Sequence, residues 1–291
     1  MHTGYQAMLV ILSVVSLSSC GIVSHSVFDR NSAQTPLFDS HRGLQPFAPE
    51  NTLASFEAAG KARQWAIETD FRLSSDGVVM CIHDKELNRT TDGNGLVKDY
   101  DFAALRKMKC LAVNSRGVTK LYDYNSIPES KLRIPTMDEY LKVCRRYGCV
   151  AFIELKEDGG VIEKMNEAIV RFGMQGRCVI SSVDRTLLRA YRDSGGRELI
   201  HLIFGREEDI PWLVGLGNAA IAFNFTDYSD PALKRLVELC HSKGLKVCFR
   251  AVDTPEAVSQ SLELGVDYMP TNNMWTGAYM KSGRVNSTRP L

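Results

Sequence analysis

Residues 150–182 read VAFIELKEDGGVIEKMNEAIVRFGMQGRCVISS. An apolar run at 150–155 is followed by a helical pattern at 161–172 and a second apolar run at 178–182. Near-continuous apolar strands alternating with helices point to a parallel sheet covered on both faces. The unit repeats outward from here. Strands are predicted at 37–41, 65–71, 150–155, 178–182, 200–204, 219–224, 246–251 and 268–271. Helices are predicted at 52–63, 137–146, 161–172, 185–193, 210–216, 231–242, 255–264 and 273–281. Eight strand–helix pairs in about 250 residues predict an α/β fold, the (β/α)8 TIM barrel. A doubly wound open sheet is the alternative architecture. No GxGxxG or P-loop pattern follows a strand, so neither a dinucleotide nor a P-loop reading has support.

One segment breaks the rhythm. Residues 84–133 form an insertion between strand 2 and helix 2, with a turn signal at Asp92-Gly93-Asn94-Gly95 and a short helical piece at 102–108. A loop that follows a barrel strand lies on the active face, and long loops in compact domains are often functional.

The chain has 291 residues, 44% hydrophobic and 24% charged, which excludes a disordered chain or a collagen-like fibre. With 35 basic and 34 acidic side chains the net charge is +1, which argues against bulk electrostatic binding to nucleic acid. Residues 1–19 contain no Asp, Glu, Lys or Arg, and 7–17 (AMLVILSVVSL) has the length of a signal-peptide core. The sequence Leu17-Ser18-Ser19-Cys20-Gly21 resembles a bacterial lipobox. The expected organisation is a signal peptide at 1–19 and a lipidated Cys20 with a tether at 20–36. The barrel then runs over 37–281, with 84–133 inserted, and a tail over 282–291. The expected location is the bacterial cell envelope, as an anchored lipoprotein or in the periplasm, with membrane contact only through the lipid. The plainer reading is an export signal with a chance cysteine. Seven further cysteines cannot all pair within one chain, and no CxxC suggests a zinc site. Cys81, Cys178 and Cys248 sit in apolar runs, where a free thiol acts as a small hydrophobe.

The residues that carry chemistry lie at strand ends. His41-Arg42-Gly43 closes the first strand, Glu68-Thr69-Asp70 the second and Glu154-Leu155-Lys156 the third. Positions i and i+2 of a strand share a face, so Glu68 and Asp70 point one way, as do Glu154 and Lys156. At a barrel mouth these can converge. Three carboxylates make a hard oxygen site suited to Ca2+ or Mg2+, and without an ion they repel one another. The plainer reading of each pair is a solvated strand end, or an ion pair of Glu154 with Lys156. His83 follows the apolar stretch 79–82, where a lone histidine is ordinarily buried and hydrogen-bonded. Beside three carboxylates, His41 and His83 read instead as a general acid and base for neutral pH. Arg42 offers a planar fork for phosphate and Lys156 a point charge. Metal, two cations and two imidazoles describe a phosphodiester site.

The ordered run His41-Arg42-Gly43, Pro49-Glu50-Asn51-Thr52-Leu53-Ala54-Ser55-Phe56, Glu68-Thr69-Asp70, Asp76-Gly77, His83-Asp84 and Leu87-Asn88-Arg89-Thr90-Thr91 resembles the signature of the glycerophosphodiester phosphodiesterase family. Ile134-Pro135-Thr136-Met137 and Phe152-Ile153-Glu154-Leu155-Lys156 continue it. The resemblance implies a (β/α)8 barrel, one divalent cation and hydrolysis of small glycerophosphodiesters to an alcohol and glycerol 3-phosphate. Carried over by motif, Glu68, Asp70 and Glu154 are the expected metal ligands. His41 and His83 are the acid–base pair, and Arg42 and Lys156 the phosphate contacts. The glycerol 2-hydroxyl is expected to attack phosphorus and give a cyclic phosphate that water opens. His41 is taken as acid and His83 as base. Ca2+ is taken ahead of Mg2+, because an exported enzyme meets it readily. In Glu50-Asn51-Thr52, Asn51 or Thr52 is expected to cap the first helix.

The second half departs from the family. Where its seventh strand reads Val-Trp-Thr-Val-Asn, this chain has Phe249-Arg250-Ala251-Val252-Asp253, and Tyr268 replaces the Gly expected after Val266-Asp267. Arg250 is therefore expected to contact an anionic part of the substrate; the plainer reading is an ion pair with a nearby acid such as Asp253. Three functions fit: the small-diester hydrolase, a related enzyme acting on lysophospholipid, phosphatidylinositol or a glycerol-phosphate polymer, and a non-catalytic binding lipoprotein. A wide apolar groove near the insertion would favour lysophospholipid and a narrow polar cup the small diesters, and Tyr122, Tyr124, Phe225 and Tyr228 could build either.

Overall fold

The computed structural model describes residues 27–28, 36–113, 118–224, 230–250 and 252–274. Eight parallel strands make a nearly closed barrel. In chain order these are β1 (Phe38–Ser40), β2 (Ala66–Leu73), β4 (Val150–Leu155), β5 (Cys178–Ser182), β6 (Leu199–Leu202), β7 (Ala219–Asn224), β8 (Lys246–Arg250) and β9 (Met269–Thr271). The ladder runs β8-β7-β6-β5-β4-β2-β1-β9, with β3 (Val79–Cys81) antiparallel to β2 and off this path. Across the remaining seam the Asp267 N–H donates to the Val247 carbonyl at 2.8 Å and the Val252 N–H to the Pro270 carbonyl at 3.0 Å. The doubly wound alternative is thereby excluded.

Helices cover the outside: α1 (Leu53–Lys61), α3 (Met137–Tyr147), α4 (Val161–Arg171), α5 (Arg185–Asp193), α6 (Ile210–Leu216), α7 (Pro231–Ser242) and α8 (Pro255–Leu264). Thr52 caps α1 and Thr136 caps α3, each in a reciprocal capping box, with Ser55 and Glu139 respectively. Outward strand residues such as Ile67, Phe71, Ile153 and Leu155 pack beneath them with Tyr140 and Met165. Inward residues alternate with these. The β2–β4 register pairs Ala66 with Val150, Glu68 with Phe152 and Asp70 with Glu154. Climbing the barrel, the interior therefore changes from apolar to carboxylate.

The differences from the sequence expectation are local. β2 runs two residues past its predicted end at 71 and folds back through Gly77 (φ +77°) into β3, a three-residue strand too short to read from pattern. The insertion carries α2 (Phe102–Leu105) and packs Leu87, Val97 and Leu105 into a small core against Met80 of β3. The seven cysteines beyond Cys20 are free and buried; burial pushes the Cys110 thiol up to about 12. Cys20, the predicted helix beyond 274, the tail 282–291, Phe225, Tyr228 and Ala251 lie outside the described residues.

The stretch expected to be a tether is not featureless at residues 27–28. Val27 is buried among Trp65, Ala66, Val150, Leu199 and Tyr268, at the N-terminal ends of the strands. Its carbonyl accepts from Trp65 Nε1 at 3.2 Å. Phe28 stacks on Trp65 with centroids 5.5 Å apart, and Lys246 Nζ lies 5.0 Å from its ring centre. These two residues plug the bottom of the barrel. Replacing Phe28 by Ala should cost about 1–2 kcal/mol of stability from lost ring packing. A thermal melt should then fall by a few degrees; an unchanged midpoint would contradict the plug.

Candidate active site

The opposite end of the barrel gathers the predicted residues. Glu68 and Asp70 rise from β2 and Glu154 from β4, all buried, with one oxygen of each within 4.8 Å of the others. A tight turn after β1 meets them. Arg42 and Asn51 adopt left-handed backbone (φ +58° and +51°), which costs a non-glycine residue about 1–3 kcal/mol and is concentrated at functional sites. Between them Gly43 has φ +81°, and a Cβ there would lie 2.4 Å from Ser55 Oγ. This turn aims the Arg42 N–H at Glu68 Oε2, 2.6 Å away. It also lets Asn51 Nδ2 donate to Asp70 Oδ2 at 2.8 Å, while Thr69 Oγ1 donates to Asn51 Oδ1 at 2.8 Å.

Charge decides what the cluster can hold. Burial pushes the Glu68 carboxyl well above its usual range, and the neighbouring Asp70 and Glu154 push it further. Burial also opposes ionisation of Asp70, but Lys156 and Arg42 outweigh it and hold Asp70 below its usual range. Lys156 Nζ lies 3.1 Å from Asp70 Oδ1 and pairs with Glu154 as well. Protein cations thus balance part of the cluster and leave Glu68 short of positive charge. A buried, all-oxygen donor set with unmet negative charge fits a hard divalent cation, held by Glu68, Asp70 and Glu154.

His41 lies beside this cluster, lining the same cup as Glu68 and Glu154. Its proton position follows from its neighbours. Asp253 accepts from Asn272 Nδ2 at 2.8 Å, which turns Asn272 Oδ1 toward His41 Nδ1, also at 2.8 Å. Nδ1 must therefore carry hydrogen. Nε2 faces Arg250 Nη2 at 3.3 Å, and a guanidinium only donates, so Nε2 is a lone pair. Burial, with Arg42 and Arg250 nearby, holds the imidazole well below its usual range and keeps it neutral. His83 stands on the Asp70 side and is about one-third exposed, with Nδ1 2.6 Å from Asp84 Oδ1. Burial raises Asp84, but hydrogen bonds from Arg89 and His83 prevail and hold it at about 2.

The predicted phosphate contacts are tied to acids. Arg42 Nη1 lies 2.9 Å from Glu50 Oε1 and its Nε 3.6 Å from Asp70 Oδ2. The plainer reading of Lys156, an ion pair with Glu154, is what the geometry contains. For Arg250 the described residues contain no such pair: Asp253 accepts instead from Thr271 Oγ1 and from the Nδ2 and backbone N–H of Asn272. Sequence reasoning assigned no site role to Asn272, Asn51, Glu50, Asp84 or Arg89. Glu50 joins Arg42 to Arg89, whose Nη2 lies 2.8 Å from Glu50 Oε1. Asn272 follows a strand's C-terminal end, the position rule that picked out His41.

The sequence profile of the Glycerophosphoryl diester phosphodiesterase family matches residues 41–276. A glycerophosphodiester phosphodiesterase of Caldanaerobacter subterraneus subsp. tengcongensis is 29% identical over 238 residues, spanning 80% of this chain and 93% of the relative. A solved Oleispira antarctica phosphodiesterase, in complex with the product sn-glycerol-3-phosphate, has TM-score 0.67 at 24% identity, covering 85% of this chain and 96% of that one. The glycerophosphodiester phosphodiesterase structure from Agrobacterium tumefaciens has TM-score 0.66 at 23% identity, covering 81% and 96%. At these identities the structures bear on the fold.

The turn at Gly43 is a sharp test of the site's construction. Gly43→Ala forces a Cβ against Ser55 in backbone that disfavours it. It should cost more than about 1 kcal/mol of stability and lower catalytic rate at least tenfold by shifting His41 and the Arg42 N–H. A variant with wild-type melting and rate would contradict this.

Proposed function

Because the chain belongs to the glycerophosphoryl diester phosphodiesterase family, we propose that it hydrolyses small glycerophosphodiesters to an alcohol and glycerol 3-phosphate with one divalent cation and two histidines. The observation that carries this reading is the buried Glu68–Asp70–Glu154 cluster with His41 beside it. Among the described residues the cup carries titratable side chains, Asp39, His41, Glu68, Glu154 and Arg250, beside Phe152, Ile203 and Pro270. That favours small polar diesters over lysophospholipid. The Oleispira protein's bound sn-glycerol-3-phosphate supports the same product class.

Glu68, Asp70 and Glu154 would hold the cation, Ca2+ ahead of Mg2+. When bound, it supplies positive charge that stabilises the charged transition state and acidifies a hydroxyl. The chain's own groups do the rest. Arg42 and Lys156 stand where a phosphate would share them with Glu50, Asp70 and Glu154. The glycerol 2-hydroxyl attacks phosphorus; the new O–P bond forms as the bond to the alcohol breaks. One histidine takes the hydroxyl proton and the other protonates the leaving alcohol. His41, fixed by Asn272, and His83, held by Asp84, form this pair. Water then opens the cyclic phosphate with the roles exchanged.

Export and lipidation at Cys20 remain part of the proposal. The Val27–Phe28 plug gives them a geometric consequence. The seven residue steps from Cys20 to Val27 reach at most about 25 Å, so the bottom of the barrel would face the membrane and the catalytic mouth would open away from it. That orientation suits diesters arriving from solution.

Release of glycerol 3-phosphate from glycerophosphocholine tests the reaction. It should stop in EDTA, return with Ca2+ or Mg2+, and fall at least a thousandfold in Glu68→Ala and His83→Ala. Release unaffected by EDTA or by both substitutions would overturn the mechanism. No release with any cation would shift the reading to lysophospholipid or phosphatidylinositol.

A further inference from the structure

Three cations face or border the cup, and they differ in what they are bound to. Arg42 is engaged by Glu50 at 2.9 Å and Asp70 at 3.6 Å. Lys156 is engaged by Asp70 at 3.1 Å and by Glu154. Arg250, at the end of β8, has no carboxylate within ion-pair distance among the described residues; Asp39 acts on it only at longer range. Its polar contact is the one to His41 Nε2, 3.3 Å from Nη2. A guanidinium has five N–H donors, so among the described residues most of this fork is uncommitted.

The surroundings hold that fork in place. The guanidinium carbon lies 5.5 Å from the centre of the Phe204 ring. Phe204 is 54% exposed at the end of β6 and takes left-handed backbone, φ +56°. A large apolar side chain held on the rim in a costly conformation calls for a reason. Supporting the flat face of Arg250 supplies one.

Position then selects the ligand. The carboxylate cluster stands on β2 and β4, and Arg250 stands on β8, with β1 and β9 between β2 and β8 on one side of the ring and β5, β6 and β7 between β4 and β8 on the other. A diester whose phosphate sits at the carboxylate cluster can reach Arg250 with one of its two substituents. Glycerol is uncharged, so an anion that meets Arg250 belongs to the alcohol. We propose that Arg250, backed by Phe204, makes this enzyme selective for glycerophosphodiesters whose alcohol itself carries a phosphate or carboxylate, and sets it against cationic alcohols such as choline. The inference rests on the hydrolysis proposed above and adds its substrate class. Arg250 in this role is a specificity-determining residue; bidentate recognition of phosphate and carboxylate is what an arginine fork does best.

The test compares kcat/KM for four diesters: glycerophospho-glycerol-phosphate, glycerophosphoserine, glycerophosphoglycerol and glycerophosphocholine. The phosphate-bearing alcohol should exceed its uncharged glycerol counterpart at least tenfold, and choline should be the poorest. The serine diester reports whether a carboxylate suffices. In Arg250→Gln the phosphate-to-neutral ratio should fall to within about twofold of unity, mainly through KM. Arg250→Lys should retain part of the ratio, since it keeps the charge and loses the fork. A wild-type ratio near unity, an unchanged ratio in Arg250→Gln, or an equal loss of kcat on all four substrates would overturn the proposal. Failure to hydrolyse any of the four would instead overturn the reaction on which it rests.

Discussion

Three carboxylates crowded within 4.8 Å at a buried barrel mouth repel one another, and the rest of the site answers that repulsion. The parallel β2–β4 register places Asp70 against Glu154 and leaves neither room to withdraw. Compensation comes from the backbone N–H of Arg42, the amide of Asn51 and the ammonium of Lys156. Two of these donors depend on non-glycine residues held in left-handed backbone. Strain in the turn after β1 is thus offset by electrostatic relief at the mouth, and a divalent cation would complete that relief.

A barrel keeps such a site rigid by building it at one end and stabilising itself elsewhere. The outer layer packs strands against helices, and the lower interior is filled by apolar side chains and closed by Val27 and Phe28. At the top, polar chains of contact replace packing. Asp253 orients Asn272, Asn272 fixes the hydrogen on His41 Nδ1, and Arg250 faces the lone pair on Nε2. Three strand ends, those of β1, β8 and β9, therefore determine the state of a single imidazole.

Much of this was legible in the sequence because it obeys short-range rules. Glu68 and Asp70 are two residues apart on one strand, so their common face could be read directly. The buried strands were visible as apolar runs bounded by helical patterns. What escaped depends on the folded chain. Asn272 reaches His41 across 231 residues, and Asp253 and Gln45 together tell which end of its amide faces the ring. Asn51 or Thr52 is expected to cap the first helix; Thr52 does, while Asn51 turns to Asp70, a result of backbone handedness that no spacing reveals. Val27 and Phe28 are two residues in a polar stretch, too few for any periodicity. Arg250 stood out as a departure from the family, but its neighbours are His41 and Phe204 rather than Asp253.

The divalent-cation site proposed at the mouth of the barrel stands on Glu68, Asp70 and Glu154. Calorimetric titration of the metal-free protein with Ca2+ and with Mg2+ measures it most directly. One cation should bind per chain, and none in Glu154→Gln or Asp70→Asn variants that melt cooperatively. Wild-type protein that binds neither cation, or variants that bind as wild type does, would contradict it.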